Sequence, residues 1–164
     1  SILMPIYLKQ NFQILEHQSS LLFSVNALIV VLFQYSTTRG ASRFSPFLMM
    51  ALGALIYALE LGSIPFLETF VFFTVAMIVL TIGEMVINPT VTSYVSNLSP
   101  DNMRARYMGM LEMAYRVAMG TSPLVAGLIN DLVAPSWIWV YGSLITLVGA
   151  AGFISLYLGR FGKN

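Results

Sequence analysis

The chain has 164 residues, of which 57% are hydrophobic and 9% are charged, and its formal net charge at pH 7 is +1. A soluble domain carries about 25% charged residues, so this composition excludes an ordinary soluble protein, whose surface needs more charge to stay dispersed in water. The small net charge also argues against nucleic acid as a partner. We therefore expect an all-α integral membrane protein, a polytopic helical bundle in a lipid bilayer.

The chain has no cysteine, and its single histidine, His17, has no second ligand residue nearby. We therefore expect no metal site and no cofactor. The sequence also lacks the motifs of soluble enzymes, such as a nucleophile elbow, a phosphate-binding loop or paired histidines on a helix. We expect a protein that is not an enzyme.

Apolar segments follow one another along the chain, separated by short polar connections. All but the first are long enough to cross the hydrocarbon core as helices, and the first resembles the end of a span. The chain begins inside an apolar segment, so we interpret it as a fragment of a longer protein. We predict one domain with five full spans and one partial span, at about residues 1–8, 19–36, 46–62, 66–95, 103–132 and 137–158.

Proline marks both of the long spans in the middle of the chain. Pro89 removes a backbone donor and should kink the span at 66–95, and Pro123 should bend or break the next span. Between them, Ser99, Pro100 and Asp101 have the pattern of a helix start. The serine would be the N-cap, the proline the first helical residue and the aspartate an acid in the first turn.

Basic residues are distributed unevenly between the two sides of the predicted bundle. One side receives two arginines in a loop over residues 37–45, two in a later loop and two basic residues in the tail: Arg39, Arg43, Arg104, Arg106, Arg160 and Lys163. The other side receives Lys9 and the acidic residues Glu16, Glu60, Glu68 and Asp131. Because cytoplasmic loops are enriched in lysine and arginine, we predict that the first side is cytoplasmic. The four loop arginines should set this orientation, and a role in holding a cytoplasmic gate is the alternative.

The span at 66–95 carries a carboxyl well inside its apolar sequence. Glu84 lies about eleven residues, or roughly 17 Å, from the cytoplasmic end of the span, near mid-membrane. Ionisable residues at this depth are costly and indicate function. Other polar residues share its face of the helix: Thr74, Thr81, Asn88 and Thr92. We expect Glu84, Asn88 and Thr81 to line a transport pathway; the alternative is that Glu84 is a structural carboxyl bonded to a neighbouring helix.

The next span carries an acid and a base four residues apart, Glu112 and Arg116, in the order that favours a helical ion pair. Arg116 should reach about the depth of Glu84, so the three could form a network that takes part in proton coupling. A plain structural pair is the alternative. Small and helix-bending residues on roughly the same face should pack on protein rather than on lipid: Gly120, Pro123 and Gly127.

A series of short motifs runs through these two spans: Gly83-Glu84, Pro89, Leu98-Ser99-Pro100, Arg104, Arg106-Tyr107-Met108-Gly109, Pro123, Gly127 and Asp131. This block resembles helices ten and eleven of the major facilitator superfamily, and is similar in particular to its bacterial twelve-helix drug:proton antiporter-like members. The resemblance implies that the chain is the C-terminal half of such a transporter, from the end of helix seven through helix twelve. The implied fold has two six-helix halves that rock around a midplane site.

In that family, helices seven and ten line the cavity, eight and eleven form much of the contact between halves, and nine and twelve face lipid. The resemblance therefore places Glu84 at the cavity, and places Gly120, Pro123 and Gly127 at the contact between halves. Two positions depart from the family pattern. The loop from Arg39 to Arg43 lacks the acid of a Gly-x-x-x-Asp-Arg-type motif, and alanine stands at residue 105 where glycine is frequent.

We therefore expect a secondary active transporter that exports small organic compounds, including drugs, by alternating access driven by proton entry. Glu84 would be the proton-coupling residue, Arg116 would tune it and Glu112 would position Arg116. The expected partners are the lipid bilayer, an N-terminal half of the same transporter, a small-molecule substrate and protons. The expected location is the bacterial inner (plasma) membrane, with a cytoplasmic C-terminus.

Two alternatives stay open at this point. The same fold could serve an importer of sugars, metabolites or peptides, because a fold does not determine direction or substrate. The chain could also be a non-transporting membrane scaffold or a truncated remnant, since one half of a rocking pair cannot provide alternating access without another half.

Overall fold

The computed structural model describes residues 16–67, 69–132 and 137–161 of the chain. This part consists of five α-helices and one short 3₁₀ helix, and it contains no strand. In chain order they are α1 (Glu16–Ala41), α2 (Pro46–Ser63), the 3₁₀ helix (Ile64–Phe66), α3 (Phe70–Leu98), α4 (Arg104–Leu132) and α5 (Trp137–Phe161). The predicted all-α fold is confirmed. The partial span predicted at 1–8, the turn at 134–136 and Lys163 lie outside the described residues.

Three helical segments in the described part are long and apolar enough to cross a membrane: Pro46–Phe66, Phe70–Leu98 and Trp137–Gly159. They correspond to α2 with its 3₁₀ extension, α3 and most of α5. α1 has 26 residues and α4 has 29. Since a helix rises about 1.5 Å per residue, each is longer than the roughly 30 Å of hydrocarbon to be crossed. The five helices follow the order of the five full spans that the sequence predicts.

Two helix boundaries in the first half differ from the prediction. The loop expected at 37–45 is shorter, because α1 continues to Ala41 and includes Arg39 in its last turn. The polar residues there extend the helix through side-chain bonds along it, such as Gln34 Nε2 to Thr38 Oγ1 at 2.9 Å. α3 begins at Phe70 rather than at residue 66, because the chain first makes the 3₁₀ helix that contains Pro65.

The helix start predicted at Ser99 is wrong. Ser99 instead ends α3, since its backbone N–H and its hydroxyl both donate to the carbonyl of Val95, at 3.1 and 2.6 Å. A turn follows in which the Met103 N–H donates to the Pro100 carbonyl at 2.9 Å, and α4 begins at Arg104. A serine hydroxyl can satisfy a free carbonyl at the end of a helix as well as a free N–H at its start.

α3 and α4 both remain helical through their prolines, so Pro123 does not break α4 as it could have done. Pro89 cannot donate to the carbonyl four residues earlier, which belongs to Met85. The side chain of Gln34 on α1 donates to this carbonyl at 3.3 Å. α1 therefore supplies the hydrogen bond that the proline removes from α3.

α2 lies at the centre of the bundle and packs mainly on α3 and α5. Glycine allows its backbone to approach α3, because a Cβ on Gly53 would lie 2.8 Å from the Cβ of Ile87. On the other side, its small residues are buried, and the Ser143 hydroxyl of α5 donates to the carbonyl of Ala58 at 2.7 Å. This face of α2, which includes Ala51 and Ala54, is a close-packing surface.

The remaining helices join this centre unequally. α1 packs on α3, through Gln34 and through Asn26, whose amide donates to Thr81 Oγ1 at 2.8 Å. α4 touches α3 and α5 only sparsely. At the 3₁₀ end of the bundle an apolar plug closes the space between α2, α3 and α5, formed by Ile64, Phe73, Met77, Leu80 and Trp139.

Candidate functional site

A cavity of about 570 Å³ opens between α2, α3, α4 and α5. It exists because α4 stands apart from the closely packed α2. Its walls are mostly apolar, and all four helices contribute a few polar side chains to the lining: Tyr57, Glu60, Glu84, Thr121, Ser122 and Tyr141. Small-molecule sites in proteins typically measure about 300–1,000 Å³ and combine apolar walls with a few polar groups. The cavity has the size and lining of such a site.

Glu84 lies on the wall of this cavity, midway along α3. Its side chain is half-buried, and the hydroxyl of Tyr57 on α2 donates a hydrogen bond to its Oε1 at 3.0 Å. The neighbouring Gly83 permits this bond, because a Cβ there would lie 3.2 Å from the ring of Tyr57. The predicted coupling residue is therefore a mid-helix carboxyl that faces open space and is held by a phenol.

Glu60 lines the same cavity, although the sequence groups it with the acidic residues of the loops on the less basic side of the bundle. That placement is wrong, because α2 continues to Ser63. Glu60 is only 3% exposed, and its Oε2 makes no hydrogen bond to any group in the described part of the chain. It lies three residues after Tyr57, so both face the same side of α2. The sequence did offer a signal for this position. Glu60 lies within the predicted span at 46–62, three residues after Tyr57.

Two other residues of the predicted polar stripe do not line this cavity. Thr81 is fully buried and accepts a hydrogen bond from Asn26 of α1. Asn88 is exposed, and its backbone carbonyl accepts a bond from the Thr92 hydroxyl at 2.9 Å. The stripe is thus divided between neighbours, with Thr81 toward α1 and Glu84 toward α2 and the cavity.

Glu112 and Arg116 form the ion pair that their spacing predicts, with Arg116 Nε 3.9 Å from Glu112 Oε2. Their side chains are 62% and 80% exposed. Within the described residues, no ion pair joins Arg116 to Glu84, whose hydrogen bond comes from Tyr57 instead. The structure contains the pair on α4 without the link to Glu84.

A family model described as Major Facilitator Superfamily matches residues 1–161, nearly the whole chain. The chain belongs to the Major Facilitator Superfamily. It is thus an integral membrane protein of a transporter family, as its apolar helices indicate. The family predicted by the resemblance is confirmed.

Curated relatives come from bacteria and belong to the same superfamily. The chain is 25% identical over 146 residues to a "Na(+), Li(+), K(+)/H(+) antiporter" of Planococcus maritimus. The matched region is 87% of the chain and 33% of the relative. The chain is 28% identical over 114 residues to the uncharacterized MFS-type transporter YttB of Bacillus subtilis, covering 68% and 29%. With YdeE of Escherichia coli, another uncharacterized MFS-type transporter, it shares 25% identity over 124 residues, covering 75% and 31%.

The chain spans about a third of the length of these Major Facilitator relatives. No solved structure matches it. The family match therefore identifies the class of protein, and the geometry of the candidate site is known from the helices described above.

α4 presents a largely uncovered surface in this superfamily chain. Its residues from Glu112 to Val125 are all exposed, and a Cβ on Gly120 or Gly127 would meet nothing within 4 Å. Pro123 lies between these glycines and lines the cavity. That this face packs against another half of the transporter stays a prediction.

The four arginines that the sequence predicts in loops lie at one end of the bundle. Arg39 is in the last turn of α1, Arg43 is between α1 and α2, and Arg104 and Arg106 are in the first turn of α4. All four are exposed. Arg104 pairs with Asp101 at 3.2 Å, and Arg39 donates to the Tyr35 hydroxyl at 3.4 Å. This clustering at one end is what an orientation signal requires; which side of the membrane it faces stays a prediction.

Proposed function

We propose that the protein to which this chain belongs is a secondary active transporter that exports small organic compounds in exchange for protons, with Glu84 as its coupling residue. The observation that carries the proposal is the position of Glu84: a half-buried carboxyl midway along α3, on the wall of a cavity of about 570 Å³. Ionisable groups at this depth in a membrane protein mark pathways and proton relays. The superfamily match supports transport as the class of activity.

The proposed coupling is a competition at one carboxyl. The hydroxyl of Tyr57 donates to Glu84 and holds its carboxyl at the cavity wall. A cationic substrate in the cavity would bind the carboxylate, and a proton would displace it. Each cycle would then exchange one for the other across the membrane.

The walls of the cavity suggest what kind of substrate fits. Trp139 and Tyr141 face it from α5, and Met119 and Ile129 face it from α4. Aromatic faces attract organic cations, and apolar side chains accept the body of an amphipathic molecule. We infer that the exported compounds are amphipathic cations small enough for this space.

The residues around the cavity have subsidiary roles in this proposal. Arg116, with Glu112 beside it, would tune Glu84 from α4, the helix across the cavity. Asn88 and Thr81 would contribute polar groups to the pathway when α3 shifts against its neighbours. The whole transporter would include an N-terminal half packed on α4, and it would lie in the bacterial inner membrane with a cytoplasmic C-terminus.

The test replaces the coupling carboxyl in the full-length protein. In inside-out membrane vesicles acidified by respiration, tetraphenylphosphonium should release protons and collapse the pH gradient. Glu84→Gln should abolish this response, because the neutral amide can neither bind a proton nor attract a cation. Because a positioned proton-transfer group contributes about 10²-fold or more to a rate, the loss should be close to complete.

Asp101→Asn is the matched control, since this exposed carboxylate pairs with Arg104 in the connection before α4. It should leave the response intact. A normal proton release by Glu84→Gln, at equal amounts of protein in the membrane, would remove Glu84 from the mechanism.

A second candidate function is antiport of a monovalent metal cation for protons. It is favoured by the relative from Planococcus maritimus, a Na⁺, Li⁺, K⁺/H⁺ antiporter by name. The same vesicles separate the two candidates. Proton release on addition of NaCl, LiCl or KCl, without a response to tetraphenylphosphonium, would support the metal cation as substrate.

A further inference from the structure

Glu60 is a buried carboxyl for which neither the fold nor the proposed role of Glu84 accounts. It is 3% exposed, and its Oε2 has no hydrogen-bond partner among the described residues. Leaving a buried polar atom without a hydrogen bond destabilises the folded protein. Such atoms are rare in native proteins and often mark a functional group. The unpartnered oxygen of Glu60 is therefore suited to bind a ligand from inside the cavity.

The smallest such ligand is a proton, and the neighbours of Glu60 are suited to deliver one. Tyr57 lies one turn earlier on the same face of α2, and its hydroxyl already donates to Glu84. The two carboxyls line one cavity and are close enough to interact electrostatically. Tyr57 therefore shares a helix face with Glu60 and a hydrogen bond with Glu84.

The other titratable groups around Glu60 do not compete for this role. α5 contributes Tyr141 to the cavity wall. α4 contributes no charged side chain to the lining, and its Tyr115 interacts with Tyr57 rather than with Glu60. Within the described part of the chain, no lysine, arginine or histidine lines this cavity.

We propose that Glu60 is a second proton-binding residue of this site, and that it exchanges protons with Glu84 through the hydroxyl of Tyr57. The inference rests on the proposed function of Glu84 and adds a storage position to it. A proton on Glu60 passes to the phenol oxygen while the phenol proton passes to Glu84 Oε1. One O–H bond breaks and one forms at the tyrosine, and the net result is that the negative charge moves from Glu84 to Glu60.

The cavity provides room for this transfer. Glu60 and Tyr57 lie three residues apart on α2, so their side chains leave the same face of the helix beside the cavity, which has room for a bridging water. A water occupies about 30 Å³, far less than the cavity volume.

The first experiment measures protonation without any substrate. Infrared difference spectra of the full-length protein in lipid, recorded across a pH jump, should contain carboxyl bands from both acids. Glu60→Gln should remove one band, Glu84→Gln should remove the other and shift the remaining one, and Tyr57→Phe should alter both. Tyr94→Phe is the control for loss of a phenol, since this residue packs on Phe47 instead. A spectrum unchanged by Glu60→Gln would overturn the inference.

The second experiment separates proton coupling from folding. In proteoliposomes, Glu60→Gln should lower uptake of tritiated tetraphenylphosphonium driven by a pH gradient by about 10²-fold, as expected for loss of a positioned proton-transfer group. Counterflow of the same probe, which needs no net proton movement, should fall much less than the driven uptake, and Glu60→Asp should restore part of the driven uptake. Equal loss of both activities would mean a structural role and would contradict the inference.

The two proposals fail in different ways. If Glu84→Gln abolishes driven uptake and Glu60→Gln does not, Glu84 acts alone and only the present inference fails. If Glu84→Gln leaves driven uptake unchanged, the proposed function itself fails.

Discussion

Single hydrogen bonds between helices determine which side chains meet in this bundle. Tyr57 fixes Glu84 at the cavity, and Ser143 fixes α5 against the carbonyl of Ala58. Gln34 has a different task, because it donates to the carbonyl that Pro89 leaves free in α3. In lipid no water can replace such a bond, so each of these interhelical hydrogen bonds is difficult to exchange for another.

The pairing of Gln34 with Pro89 can be tested by a double-mutant cycle. Gln34→Leu should destabilise the protein by about 0.6 to 1.7 kcal/mol, the range for hydrogen bonds between membrane helices. In a Pro89→Ala background residue 89 regains its N–H, which should bond to the Met85 carbonyl, so the same substitution should then cost less. The measurement is the midpoint of thermal unfolding of the full-length protein in detergent. Equal costs in both backgrounds would exclude the proposed compensation.

At the scale of elements, α2 is the helix on which the site depends. It contacts α3 through Gly53 and Gly83 and contacts α5 through its small residues, and it carries both Tyr57 and Glu60. The close approach of α2 and α3 is what brings a phenol on one within hydrogen-bond distance of a carboxyl on the other. A wider separation would leave Glu84 without its donor.

This contact predicts the effect of one added methyl group. A Cβ on Gly53 would lie 2.8 Å from the Cβ of Ile87, so Gly53→Ala should cost about 1–3 kcal/mol, as overpacking does elsewhere. The higher helix propensity of alanine offsets at most about 1 kcal/mol of this. Gly149→Ala on α5 is the control, because a Cβ there meets nothing within 4 Å and should leave thermal stability unchanged or raised. Equal unfolding midpoints for the two variants would contradict the packing described.

At the scale of the molecule, the helices alternate in direction, and the basic residues gather at one end. Short connections link α1 to α2, α2 to α3 and α3 to α4. The connection after α3 therefore lies at the arginine-rich end, and the one between α2 and α3 lies at the opposite end. The inserted protein should have the first of these ends in the cytoplasm.

Cysteine labelling tests this orientation, and the chain adds no cysteine of its own. Asn102→Cys, in the exposed connection before α4, should react with a membrane-impermeant maleimide only in inside-out vesicles or permeabilised cells. Thr69→Cys, in the connection before α3, should react in intact cells. The reverse pattern would place the arginine-rich end outside and overturn the orientation.

The sequence was sufficient for features that depend on local composition. Apolar length predicted five helices in the correct order, and the position of Glu84 well inside its helix followed from the length of the apolar segment around it. Contacts between segments that are distant in the chain could not be predicted from the sequence. That Tyr57 meets Glu84, that Glu60 is buried, and that Thr81 bonds to α1 all depend on how α2 and α3 rotate against each other. Ser99 failed for a local reason, because its hydroxyl can serve a carbonyl as well as an N–H.

The unequal packing of α4 has a mechanical consequence. α1, α2, α3 and α5 are held together by close contacts and interhelical bonds, whereas α4 packs only sparsely on α3 and α5. Because α4 has the fewest contacts to break, it can move relative to the bundle while the other four helices move as a rigid body. The cavity could then widen or collapse around a passenger without disturbing the Tyr57–Glu84 bond, which lies wholly inside the rigid part.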